Sequence, residues 1–307
     1  MRDAFIARLL ENARQDTRIT LVVGDLGFGV VDEFAKLLPE QFLNSGVAEQ
    51  AMIGVAAGMA AAGRKVFVYS IANFPTMRCV EQIRNDVCLH DLDVTVVSVG
   101  AGLSYGALGY THHAVEDISV MRSFPRLTIY SPCDPLEVVS TVDALCVEGG
   151  PAYLRLGKNG EPPLHATRPS VGSGCPLLLR EGSDLSLFAT GAIAEVGLAA
   201  ARLLATEGGP SVRVLSVPKI KPLNVEGLLS AACGTSAIAT LEEHTLVGGF
   251  GTAVMEGLSA VGASPAVLRI GLPDRVEKAV GSQTYLRSLT GLSVVDVARR
   301  LRDTSSA

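Results

Sequence analysis

The segment NSGVAEQAMIGVAAGMAAAGRKVFVYSI, residues 44–71, places a helix with no polar face directly before a strand with none. From Val47 to Gly63 the only ionisable side chain is Glu49, in a run dominated by alanine, glycine, valine and methionine. A helix of that kind is expected to be buried on all sides. Asn44 and Ser45 stand before it as candidate caps. A carboxylate in such a setting costs free energy unless it is paired, hydrogen-bonded or protonated. Glu49 is therefore a candidate functional residue. The plainer reading is a helix N-terminal carboxylate favoured by the dipole.

Outward from this segment, strand and helix signals alternate. Residues 1–14 carry Phe5, Ile6, Leu9 and Leu10 at helical spacing, and ITLVVGDLG (19–27) reads as a buried strand ending in a glycine turn. After KVFVYSI (65–71) come a helix over TMRCVEQIRNDVCLH (76–90), a strand over LDVTVVSVGAG (92–102) and the loop LSYGALGYTHH. A short helix EDISVMRSF, the strand LTIYSP, the helix DPLEVVSTVDALCVE and the strand AYLRLG follow. Near-continuous apolar strands alternating with helices predict an α/β fold, a parallel sheet with helices on both faces. Ligands in such folds sit beyond the carboxyl ends of the strands, here the loops at 24–29, 70–75 and 100–113.

Residues 157–183 are rich in Pro, Gly and Ser and read as an interdomain connection. This predicts a first domain over 1–160, a linker over 161–182 and a second, smaller α/β domain over 183–307. Two domains suit 307 residues, and 48% hydrophobic content with mean hydropathy +0.35 allows a large core. No apolar run is long enough to span a bilayer, and no signal peptide is visible, so no membrane association is expected. A net charge of −5 without a basic cluster argues against nucleic acid. Six cysteines without a CxxC pair read as reduced, mostly buried thiols, and hence a cytoplasmic protein. The glycine-rich turns GDLGFG and VGAGLSYGALG do not match a dinucleotide fingerprint. There is no P-loop, no GxSxG elbow and no zinc spacing, so no metal ligand is expected in this chain.

Three features remain, all at ligand-facing strand ends: Glu49, Phe74 in ANFPTMRCVEQIRND, and the pair His112 and His113 in GYTHH. Singly, Phe74 reads as core and the histidines as loop residues capping backbone groups. In order, GVAEQAMIGVAAGMAAAG, FPTMRCVEQIRND and GYTHHAVEDISVMRSFPRLTIYSPCDP resemble the pyrimidine-binding domain of transketolases and 1-deoxyxylulose-5-phosphate synthases. TLEEHTLVGGFGTAV (240–254) resembles their C-terminal domain. The resemblance implies thiamine diphosphate as cofactor and transfer of a two-carbon ketol unit to an aldehyde or sugar acceptor. It assigns Glu49 to the pyrimidine N1′, where it favours the imino tautomer whose 4′-nitrogen takes the thiazolium C2 proton. An apolar site that raises a carboxyl pKa suits that role. It places Phe74 on or beside the pyrimidine, Asp25 near the thiazolium, and His112 on substrate oxygens, with His113 next to it. Arg78 is placed with the cofactor and, like Glu81, near a contact between subunits.

The family's diphosphate-binding domain, with its GDG motif and later asparagine, is missing here; GDL at 24–26 is the Asp25 turn. The resemblance therefore implies a split enzyme. A partner chain would hold the diphosphate through Mg²⁺, in an α2β2 heterotetramer that also pairs two copies of this chain. The substrate loop departs from the family pattern. Leu108 stands where an aspartate contacts a donor hydroxyl, Gly100 where a histidine contacts phosphate, and Gly29 where a serine falls. Lys158, with Arg155 nearby, stands in place of the phosphate-binding arginine and loses its bidentate fork. An atypical small-molecule sugar substrate is the expectation. The alternatives are the β subunit of a 2-oxoacid dehydrogenase E1 and a non-catalytic regulatory paralogue.

Overall fold

The computed structural model describes residues 1–304. The first six apolar runs form β1 (Ile19–Val23), β2 (Phe42–Asn44), β3 (Lys65–Ile71), β4 (Val94–Val99), β5 (Thr128–Tyr130) and β6 (Ala152–Leu156). The remainder form β7 (Leu177–Arg180), β8 (Leu185–Thr190), β9 (Val212–Ser216), β10 (Lys219–Lys221), β11 (Ala237–Thr245) and β12 (Val267–Leu272). The first sheet has the order β10-β5-β6-β4-β3-β1-β2 and the second β12-β11-β8-β9-β7. Each sheet is parallel except at one edge, where β10 and β7 run antiparallel. Neighbouring strands are in register, with Leu21 opposite Phe67 and Val68 opposite Val96.

Helices α1 (Arg2–Gln15), α2 (Asp32–Leu37), α3 (Glu49–Ala61), α4 (Val80–Gln82), α5 (Asp117–Arg122) and α6 (Pro135–Glu148) belong to the first half. The second half carries α7 (Ala194–Thr206), α8 (Val225–Ala232), α9 (Phe250–Ala260), α10 (Gln283–Leu289) and α11 (Val294–Thr304). On one face of the first sheet, Phe5, Leu9 and Val142 of α1 and α6 pack on Leu21, Phe67 and Leu154. On the other, Met52, Ile53 and Ala56 of α3 join Val68 and Val96 in a cluster that runs on into Phe188, Leu215 and Val254. The two halves thus share a core.

A buried polar network ties them further, with Arg155 Nη2 donating to the Glu243 carbonyl at 3.1 Å. Asp117 accepts from Tyr153 Oη at 2.5 Å and from Arg155 Nε at 2.7 Å. Glu242 accepts from the backbone N–H groups of Phe250 and Gly251 at the start of α9. Burial pushes the Glu242 carboxyl up to about 7 and the neighbouring His244 imidazole down to about 4.

Four sequence expectations change. The helix expected over 76–90 is irregular: 3-10 at Met77–Cys79, α4, then a π turn at Ile83–Cys88. Strand β7 lies inside the stretch expected to be linker and belongs to the second sheet. Asn44 and Ser45 do not cap α3, whose N-cap is Ala48. Asn44 instead accepts from the Asp25 and Gly46 N–H groups, and Ser45 donates to the Val23 carbonyl. Finally, α3 buries only one side within this chain; Val47, just before it, is 76% exposed and Val55 is exposed too. Of the six cysteines, all free, Cys79, Cys88 and Cys133 are buried while Cys175 and Cys233 are exposed.

Candidate functional site

Parallel pairing of β2, β1, β3, β4 and β6 brings their carboxyl ends to one edge of the first sheet. The chain leaves that edge through Asp25, Glu49, Phe74, the 100–113 loop and Lys158. Asp25 sits at φ 53°, held by reciprocal hydrogen bonds with the Asn44 amide at 3.0 Å each.

Glu49 opens α3 and is 3% exposed. It is not alone in an apolar setting: Arg78 Nη1 donates to its Oε2 at 2.6 Å. The same guanidinium lies over the Phe74 ring, 4.6 Å from the centroid. Phe74 meets the His112 ring edge-on at 5.3 Å, and His112 meets Tyr105 edge-on at 6.5 Å. Lys158 Nζ stands 5.0 Å above the Tyr105 ring. Glu49, Arg78, Phe74, His112, Tyr105 and Lys158 therefore form one row, a buried carboxylate at one end and an exposed ammonium at the other.

The row sorts the sequence candidates. His112 is half-buried in the row, its Nδ1 3.0 Å from Thr111 Oγ1. His113 points inward, is 1% exposed, and has no hydrogen-bond partner on either ring nitrogen; burial lowers its pKa. It does not join the row. It lines instead a cavity of about 340 Å³ with Leu103, Val115 and Leu272. Arg155 is buried as well, donating through Nε to Asp117 and through Nη2 to the carbonyls of Ala114 and Glu243. These bonds brace the loop after β4 against the second half of the chain. Leu108 is exposed at the rim, as is Lys158.

Residues the sequence did not single out complete the site. Asn73 Nδ2 donates to the His113 and Thr111 carbonyls and straps the histidine loop to the end of β3. Tyr105 links His112 to Lys158. Away from the row, Cys133, Glu137 and His165 converge within 4.8 Å, a grouping that sequence spacing did not reveal. Glu137 there already accepts from the Cys133 N–H and faces His165 Nε2.

A carboxylate, an aromatic ring and a histidine thus line up across the parallel strand ends of an α/β subunit. Residues 1–161 match the family model for the transketolase pyrimidine binding domain, and residues 176–297 that for the transketolase C-terminal domain. The chain belongs to the transketolase family. It is 39% identical over 278 residues to an apulose-4-phosphate transketolase subunit of Phocaeicola vulgatus, covering 89% of this chain and 87% of that one. The 6-deoxy-6-sulfo-D-fructose transketolase subunit SqwH of a Clostridium species is 34% identical, covering 97% and 92%. The 1-deoxy-D-xylulose-5-phosphate synthase of Heliobacterium modesticaldum is 35% identical over 99% of this chain, which spans only 47% of that enzyme. Among solved structures, a split gene transketolase described as an inactive beta4 tetramer superposes with TM-score 0.89 at 32% identity, covering 99% and 97%. The chain is a transketolase-type transferase subunit, one part of a two-subunit enzyme, in a family that depends on thiamine diphosphate. Among the described residues, no helix is long and apolar enough to cross a membrane.

Proposed function

We propose that this chain is the pyrimidine-binding half of a cytoplasmic enzyme that moves a two-carbon ketol unit between sugars. The observation that carries the reading is the row from Glu49 to His112: one buried carboxylate, an aromatic ring and a histidine on adjacent loops. These residues fit an aminopyrimidine. Glu49, once Arg78, 47% exposed, swings aside, can share a proton with a ring nitrogen, donating to its lone pair as the protonated acid. Phe74 offers a half-buried apolar face under that guanidinium. When bound, thiamine diphosphate supplies a nucleophilic carbon and an electron sink for the ketol fragment. In this reading Glu49 holds a proton at its carboxylate, Phe74 orients the planar ring, Asp25 flanks it, and His112 hydrogen-bonds substrate oxygens.

The diphosphate and its Mg²⁺ fall to a partner chain. The exposed apolar face at Val47 and Val55, continuous with Glu49, suits a large interface that excludes water. An α2β2 assembly follows from pairing two such halves.

The test is purification of the tagged chain from its native cells. The eluate is assayed for a stoichiometric second chain, bound thiamine diphosphate, and ketol transfer from hydroxypyruvate to an aldehyde. Turnover that disappears on Glu49→Ala supports the reading. A cofactor-loaded complex whose turnover survives Glu49→Ala overturns the role of Glu49, and a lone chain unable to bind the cofactor with any partner overturns the whole.

A further inference from the structure

Cys133, Glu137 and His165 reach one point from two parts of the chain. Cys133 lies in the loop between β5 and α6, and Glu137 in the first turn of α6. Glu137 Oε2 accepts from the Cys133 N–H at 2.7 Å, which folds the carboxylate back over residue 133. His165 comes from the connection between the two halves, 28 residues beyond Glu137, so no zinc spacing shows in the sequence. Asp134, the N-cap of α6, fastens that connection. Its Oδ2 accepts from the N–H groups of Leu164 and His165 at 2.7 and 3.0 Å, and its Oδ1 from that of Glu137 at 2.8 Å. His165 Nε2 then stands 2.8 Å from Glu137 Oε1. The three side chains thus project from backbone that is itself pinned.

The cluster is dry: Cys133 is 1% exposed, Glu137 0%, and the His165 side chain 8%. One sulfur, one carboxylate oxygen and one imidazole nitrogen all lie within 4.8 Å of one another. Around a tetrahedral zinc such atoms stand about 3.3–3.8 Å apart, so shifts of about 1 Å would close the set. Sulfur, nitrogen and oxygen together suit a borderline-soft cation. A thiolate and a carboxylate cancel the charge of Zn²⁺ and leave a neutral centre, where a lone buried ion would be costly. A second observation points to the same ligand. Ser216, at the end of β9, has a buried hydroxyl with no hydrogen-bond partner among the described residues. It lies beside the Cys133 thiol. A water in the fourth position of a three-ligand zinc would give that hydroxyl a partner.

We infer that Cys133, Glu137 and His165 form a buried zinc site that fastens the connection between the halves to α6, with Ser216 of the second half beside it. Binding exchanges protons for metal. The thiol proton and the proton shared by His165 and Glu137 leave to solvent as the Zn–S, Zn–N and Zn–O bonds form. Nothing in the inference depends on ketol transfer.

The experiment uses the whole chain, alone and in its two-subunit complex, stripped with a chelator and then loaded with Zn²⁺ or Co²⁺. Zinc should bind at about one per chain by elemental analysis and raise Tm by about 5 °C or more at saturation. Cobalt should give sulfur-to-metal charge-transfer absorption that excess Mg²⁺ leaves in place, because Mg²⁺ prefers oxygen ligands. Cys133→Ser should abolish that absorption, and both Cys133→Ser and His165→Gln should weaken zinc binding about a hundredfold. Cys175→Ser, at an exposed thiol, should change neither. A stripped chain that takes up no zinc at about micromolar free metal, a cobalt spectrum without the sulfur band, or a Cys133→Ser chain that binds like wild type overturns the inference. Should Cys133→Ser fail to fold, the wild-type cobalt spectrum and His165→Gln, at the edge of the cluster, still decide. Zinc bound as described in a chain without ketol transfer would refute the proposed function and leave the metal site standing.

Discussion

Replacing Arg78 with alanine measures what it costs to leave a carboxylate alone at the start of α3. Glu49 is 3% exposed and Arg78 47%, with 2.6 Å between the charged atoms. Breaking a fully buried pair costs about 3–5 kcal/mol, and an exposed pair is worth about 0.2–1 kcal/mol. With one partner buried and the other half in water, the loss should be about 1–2 kcal/mol, after some relief from the helix dipole. Glu49→Gln removes the buried charge at nearly constant volume and returns Arg78 to water, so it should cost less than about 1 kcal/mol. The double variant contains no buried charge. It should be more stable than the sum of the singles implies, by about 1 kcal/mol. Urea denaturation of all four proteins gives the cycle. The assembled enzyme adds the functional arm: Glu49→Gln should lose about a hundredfold or more of turnover and Arg78→Ala much less. If Arg78→Ala matches wild type in stability and the double variant is additive, the guanidinium is not holding the charge, and the account of how this chain stores Glu49 without cofactor is wrong.

Asp117→Asn should cost about 3–5 kcal/mol, because it strips the carboxylate from a buried Arg155 that cannot reach water; a midpoint shift in urea small enough to mean less than about 1 kcal/mol would place Arg155's compensation elsewhere. The pH dependence of stability carries two opposed contributions. Glu242, raised from 4.5 to about 7, contributes stability that is full below 4.5 and lost as pH rises through 7; His244, lowered from 6.5 to about 4, contributes stability present above 6.5 and lost as pH falls through 4. They offset each other in the wild type between those limits, so Glu242→Gln should unmask the histidine. Its thermal stability should fall by up to about 3 kcal/mol as pH drops from 6.5 toward 4; a curve parallel to the wild type would refute this.

How far the sequence could be read depended on where each element's physics is local. Strands β1, β3 and β4 are buried on both faces, so an unbroken apolar run announces them. β7 and β10 are short antiparallel edge strands whose partners lie far off in sequence, and nothing local marks them. The site was half legible. Glu49, Phe74 and His112 stand out by residue type in order along the chain, and the row unites them. Arg155 and His113 carry the same chemistry as a ligand-binding arginine and histidine; only burial separates them, and burial at 113 and 155 is decided by residues of the second half such as Glu243 and Leu272. Tyr105 was invisible for another reason. Its placement depends on a positive φ at Gly100, a backbone property that glycine permits but does not announce.

Helix α3 departs from its expectation in an instructive way. A helix with no polar face should be buried all round, yet this chain covers one side and leaves Val47 and Val55 in water. The physical rule need not yield; the boundary drawn around one chain should. A flat stripe of Ala51, Gly54, Val55 and Gly58 lets another backbone approach closely, and it runs along the same helix that carries Glu49 at its first turn. Completing the burial of that stripe would also close the open side of the carboxylate. Assembly and the environment of Glu49 are therefore one problem: whatever covers α3 sets how dry the carboxylate is, and so how strongly it interacts with the charges beside it.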